Sequence, residues 1–211
     1  MEADAQIWLR EAHAHYREET FAEARRLYGL AVAQGLAGAQ YNLAVMHMKG
    51  MSGPQDFVEA RRLYGLAASQ GFAMAQHELA ILHEEGVGGA EDIGTALRLL
   101  DLAAAQGHTN SQVESGIMHR KGEGGPVDFA EARRLYGLAA EQGNAEAQCN
   151  LGELHAVGQG GPQNLAEARR LLSLASHQGI REASVLLHEL NQYCISNLHE
   201  VRLWVRQATI E

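Results

Sequence analysis

Apolar side chains at Phe21, Ala24, Leu27, Tyr28 and Ala31 recur three and four residues apart, which places them on one stripe of an α-helix. The stripe ends before Gly35, and a second helical pattern follows with Ala39, Leu43 and His47 on its inner side, stopping at Gly50. The whole pattern then returns. Phe21-Ala-Glu-Ala-Arg-Arg-Leu-Tyr is echoed from Phe57, Ile93, Phe129 and Leu165, a constant step of 36 residues. A period of this size predicts a stack of helix hairpins, because one hairpin cannot bury its apolar face alone and must lean on its neighbours.

Local signals mark where each helix begins and ends. Thr20 with Glu23, Asp56 with Glu59, Asp128 with Glu131 and Asn164 with Glu167 form capping boxes, and Thr95 in place of the glutamate predicts a weaker start to the third. Gly35, Gly71, Gly107, Gly143 and Gly179 stand where a helix turns left-handed, and Pro54, Pro126 and Pro162 fall in the loops between hairpins. At the ends, Leu9 and His13 reproduce Leu43 and His47, predicting a leading helix over 5–16, while Val201, Trp204, Val205 and Ala208 predict a closing helix over 196–209. The expected architecture is all-α, an α/α solenoid of about six antiparallel helix pairs. It forms a single repeat domain over 1–211, with repeats starting near 21, 57, 93, 129 and 165.

Composition narrows the function. Lys and Arg number 17 against 26 Asp and Glu, a net charge of −9 that argues against a nucleic-acid platform held by phosphate contacts. No apolar run approaches the roughly 18 residues of a membrane span, and the first residues, Met1-Glu2-Ala3-Asp4, are acidic where a signal peptide is basic. Cys149 and Cys194 make no disulfide framework. A protein of the cytoplasm is expected, binding neither nucleic acid nor membrane.

The string Ala-x-x-Leu-Tyr-x-x-Ala-Ala-x-Gln-Gly-x-Ala-x-Ala-Gln-x-x-Leu, at Ala60 to Leu79 and Ala132 to Leu151, is followed by Gly-x-Gly-Gly and Asp. It resembles the Sel-one-like repeat, a relative of the tetratricopeptide repeat, over residues 5 to 208. The resemblance implies a right-handed superhelix of helix pairs that gathers other proteins as an adaptor or scaffold, in signalling complexes and protein quality control. Two departures stand out. His47, His83, His119 and His155 occupy a position that is usually aromatic, as do Leu27, Leu63, Leu99, Leu135 and Leu171. Cysteine-rich bacterial members that bind or hydrolyse penicillin-like compounds carry a disulfide pair in each repeat, and this chain has none.

Several columns could carry chemistry. The four histidines stack one per repeat, but packed helices lie about 8 to 10 Å apart, too far for neighbouring rings to share one metal ion. They read as hydrogen-bonded spacers, with acid sensitivity as the functional alternative. The Gly-x-Gly-Gly loops join helix to helix and lack the strand and Lys-Ser/Thr of a phosphate cradle, so they read as turns. Arg25, Arg26, Arg61, Arg62, Arg98, Arg133, Arg134, Arg169 and Arg170 form a ladder that the nearby glutamates neutralise. Gly29, Gly65 and Gly137 sit in mid-helix, where glycine costs about 1 kcal/mol relative to alanine, and predict close approach of a neighbouring backbone.

The remaining surface is the inner one. Helical offsets from Leu43, Leu79, Ser115 and Leu151 place Tyr41, Val45, Met48, His77, Ile81, Glu84, Val113, Ile117, Arg120, Cys149 and Glu153 on a concave groove. Such a mixed, curved face suits capture of a protein or peptide, although packing between helices would account for the same side chains. No catalytic residues, metal ligands or cofactor contacts are assigned. The expected function is a non-enzymatic adaptor; a penicillin-like small-molecule binder or hydrolase, and a structural spacer within a larger assembly, are the alternatives.

Overall fold

The computed structural model describes residues 2–192. It contains α1 (Glu2–Arg17), α2 (Phe21–Ala33), α3 (Ala37–Lys49), α4 (Phe57–Ser69), α5 (Ala73–Glu84), α6 (Ile93–Ala105), α7 (Thr109–Lys121), α8 (Phe129–Glu141), α9 (Ala145–Val157) and α10 (Leu165–His177). Residues 181–192 are helical too, and no strand occurs among the described residues. The chain is therefore an all-α helix-hairpin repeat. The closing helix expected over 196–209, and Cys194, lie outside the described residues.

The helix starts are built differently from the reciprocal capping boxes expected. Asp56, Asp128 and Asn164 each accept the third-residue N–H, from Glu59, Glu131 and Glu167 at 2.9–3.0 Å. The glutamates do not reach back. Each instead chelates the arginine three residues on, Arg62, Arg134 and Arg170, at 2.6–2.7 Å. The cap residue's own N–H is satisfied by the preceding histidine's carbonyl: Asp56 N to His47 O, Asp92 N to His83 O and Asn164 N to His155 O, at 2.8–3.1 Å. The third start is not weaker, since Asp92 accepts both Thr95 N and Thr95 Oγ1, at 2.9 and 2.7 Å. Thr20 is the exception, because its hydroxyl bonds to His15 O rather than capping α2.

The described residues divide into two compact units, those up to 118 with 122–126, and 119–121 with those from 127 onward. In the first unit α1 to α6 pack each on the next, α2 and α4 turning Ala24, Leu27, Tyr28 and Ala31, and Ala60, Leu63, Tyr64 and Ala67, into the interior. In the second, α8 packs on α9 and α9 on α10, burying Leu135, Tyr136, Leu154 and Leu172. Small alanines at the buried positions let helices approach, while Tyr28, Tyr64 and Tyr136 are among the largest fully buried side chains.

A glutamine ladder ties successive hairpins together. In the first unit Gln70 and Gln106 donate to Gln40 Oε1 and Gln76 Oε1 at 2.7 Å; in the second Gln178 donates to Gln148 Oε1 at 2.9 Å. The acceptor amides are buried and donate to helix ends in turn, Gln76 to Ala68 O and Gln148 to Ala140 O. Gln76 and Gln148 thereby add a second donor to carbonyls in the last turns of α4 and α8, which already accept from Gly71 N and Gly143 N.

Candidate partner-binding face

The histidine column is held by arginines. In the first unit the Arg61 guanidinium lies 2.8 Å from His83 Nδ1 and also donates to Val87 O at 3.2 Å and Ala90 O at 2.9 Å. Arg25 reaches His47 at 3.3 Å and Ser52 O at 3.1 Å. In the second unit Arg133 meets His155 Nδ1 at 2.7 Å and donates to Gln159 O and Pro162 O, and Arg169 donates to Asn191, which stands one period after His155. The Gly-rich loops thus turn carbonyls inward around a guanidinium, the opposite polarity to a phosphate cradle. Burial first, and these arginines second, hold His47, His83 and His155 below the usual imidazole range. The arginine ladder therefore has two roles: Arg25, Arg61 and Arg133 clamp a loop, and Arg26, Arg62, Arg134 and Arg170 each pair with a glutamate, while Arg98 donates to Thr95 Oγ1.

The loop glycines at the clamps have no alternative. Gly88, at a φ of 67–68° like Gly86, sits so close to the Phe57 carbonyl that a Cβ would overlap it, as would one at Gly160 with the Phe129 carbonyl. The mid-helix glycines are different. A Cβ at Gly29, Gly65 or Gly137 would meet nothing within 4 Å, so the expected close approach of a neighbouring backbone does not occur.

Of the inner-face residues in the first unit, Tyr41, Val45, Met48, Ile81 and Ile117 are half-buried and Glu84 is exposed. Tyr41 lies against Tyr64 and Phe72 with ring centroids 5.6 and 5.4 Å apart. His77 and Val113 are buried, 8 % and 4 % exposed. In the second unit Arg120 and Glu153 form a half-exposed ion pair at 2.8 Å, and Cys149 is buried. His77, Val113 and Cys149 share the register position of Tyr41, but they are buried where Tyr41 is half-buried, so these three line the interior rather than the face. Burial pushes the Cys149 thiol up to about 11, leaving it protonated and unreactive near neutrality.

The third repeat carries a compensated exchange. Asp101 stands where other repeats have Gly29, Gly65 and Gly137, and Ser115 where they have Leu43, Leu79 and Leu151. Ser115, fully buried, donates to Asp101. Leu97 likewise replaces the clamping arginine and lies beside Gly124 and Gly125. Reading the inner face also missed an outer column of exposed leucines in the first unit, Leu30, Leu66 and Leu102 on α2, α4 and α6. The step of 36 that revealed the repeat was the available signal for it.

These features define a helix-hairpin repeat protein. The Sel1 repeat profile matches residues 37–72, 73–108, 109–144 and 145–180, and the chain belongs to the Sel1-repeat family. Among solved structures, a protective antigen of uropathogenic Escherichia coli displaying an SLR fold is 27% identical, with a TM-score of 0.85 over 90% of this chain. This chain spans only 42% of that protein's length. A Sel1 repeat protein from Oxalobacter formigenes is 26% identical with a TM-score of 0.74, covering 88% of this chain and 76% of that one. No curated protein matches this chain significantly. Sel1-repeat proteins generally mediate protein–protein interaction, and their fold is generally a non-catalytic scaffold.

Proposed function

We propose that the chain is a non-enzymatic adaptor of the cytoplasm that holds a protein partner on the inner helices of its repeats. The observation that carries this reading is the half-open apolar row Tyr41, Val45, Met48, Ile81 and Ile117 on α3, α5 and α7, bordered by the carboxylates of Glu84 and Glu114. Aliphatic, Met and aromatic side chains on pre-formed helices bind a peptide with little ordering of the receptor, and acidic flanks favour a partner whose apolar segment carries Lys or Arg. Arg120 and Glu153 in the second unit offer a polar contact of the kind that selects among partners. No helix among the described residues is long and apolar enough to cross a membrane.

The test is affinity capture with cross-linking, comparing the natural chain with Val45→Glu plus Ile81→Glu and with Leu66→Glu on the outer column. Loss of the captured partner in the inner-face variant alone, with helicity kept, is the expected result. Loss only in Leu66→Glu, or in neither, overturns the inner face. Incubation with a fluorescent β-lactam is expected to leave the protein unlabelled, and an acylated band would revive the small-molecule reading.

A further inference from the structure

The third repeat holds a cluster that neither the inner face nor the arginine clamps use. His108, the residue before α7, lies with its ring centroid 4.8 Å from that of His77 on α5. Between them sits Ser111, fully buried, with Oγ 2.9 Å from His108 Nδ1 and 3.1 Å from His77 Nδ1. The backbone N–H of Ser111 donates to His108 Nδ1 at 3.3 Å. Since an N–H cannot accept, His108 Nδ1 must carry a lone pair, and its ring proton sits on Nε2. His77 Nδ1 faces both Ser111 Oγ and the acceptor-only carboxylate of Glu114, so it carries its proton and shares it between them, and the chain continues as Ser111 Oγ–H donates to His108 Nδ1.

A proton on His108 Nδ1 is incompatible with that chain. It removes the acceptor of both the Ser111 hydroxyl and the Ser111 amide, and it places a cation at the positive end of a helix dipole. We propose that His77, Ser111 and His108 form a proton-operated latch on the N-terminus of α7, closed while both rings are neutral and opened at its first turn when His108 takes up a proton.

Among the described residues, burial is the cause that acts on His108. Glu114 on α7 lies 3.3 Å from His77 Nδ1 and serves that ring. Asp101 on α6 is engaged by Ser115. Glu78, beside His77 on α5, interacts with Lys49, Tyr41 and Tyr64 of α3 and α4. Burial lowers His108, and burial followed by His108 itself lowers His77 to about 4, so the second ring resists protonation once the first is charged. The latch is therefore shut above the ordinary imidazole range and opens as pH falls through the depressed value of His108. The feature is local to this repeat. The corresponding residues before α3 and α5, Leu36 and Phe72, make no side-chain cap, whereas Asn144 caps α9 by accepting from Ala147 N at 2.8 Å without a titrating group.

The experiment is a pH titration of the isotope-labelled full chain by NMR, following the His108 ring together with shifts and exchange protection of the amides of Thr109 to Gln112. In the natural chain the amides are expected to shift and lose protection with the same midpoint as the His108 ring, below pH 6.5. His108→Asn, which installs the cap that α9 already uses, is expected to keep these amides protected across the same range. Ring titration with no change in the amides overturns the latch. So does the same pH-dependent loss in His108→Asn; if that variant fails to fold, the coincidence of midpoints in the natural chain decides.

Discussion

Arg61 shows how much one side chain can do in a repeat. Its guanidinium divides its donors among His83, Val87 O and Ala90 O, a fan that a planar group fills and an ammonium does not. Arg61→Lys is expected to lower unfolding free energy by roughly 1–3 kcal/mol in urea titration. Arg62, one residue on, pairs with Glu59 on an exposed face, and Arg62→Ala should cost no more than about 1 kcal/mol. Gly65 makes the opposite case. It spends helix propensity and has open space where a Cβ would go, so Gly65→Ala is expected to stabilise by about 1 kcal/mol, with an unchanged helical spectrum. A destabilised variant would mean that the space is needed.

At the scale of elements, α6 and α7 show that repeats tolerate change in pairs. A hydroxyl replaces a leucine at Ser115 because Asp101 replaces a glycine opposite it. Asp101→Gly alone leaves a buried hydroxyl without its acceptor and is expected to destabilise by about 1–3 kcal/mol. Adding Ser115→Leu, which restores the pairing found at Gly65 and Leu79, should recover stability, and a double-mutant cycle in denaturant measures the coupling. Strictly additive losses would separate the two substitutions. The glutamine ladder acts between elements in the same manner: Gln76 is buried, accepts from Gln106 and donates to Ala68 O, so its loss takes a partner from both neighbours at once.

For the whole molecule, the histidines make stability depend on acid. His13, His47, His77, His83, His108 and His155 are all lowered from 6.5, burial being the first cause in each. The unfolded chain therefore binds more protons than the native one as pH falls below about 6.5. Their contribution to stability is fully present above that value and is lost on acidification toward the depressed values. Below this window the glutamates lowered by their arginines, Glu59, Glu131 and Glu167, continue the loss. Melting temperatures are expected to hold between pH 7.5 and about 6.5 and to fall from there toward pH 5.5; a profile flat over the whole range would contradict the histidine account.

The linear chain by itself determined the period, the helix pairing and the stops. A stripe such as Phe21, Ala24, Leu27, Tyr28 and Ala31 needs only the geometry of one helix, and Gly35 or Gly71 only that of one turn. What sits opposite what was decided in three dimensions. His77, Val113 and Cys149 share a helical face with Ile81 and Ile117, yet they are buried, and helical offsets carry no information about what a distant segment brings alongside. The two roles of adjacent arginines, the inward carbonyls of the Gly-rich loops and the serine shared by two histidines have the same origin. Each depends on distances between backbones that only stacking sets, because a hydrogen bond is made or lost within half an ångström while periodicity fixes direction alone.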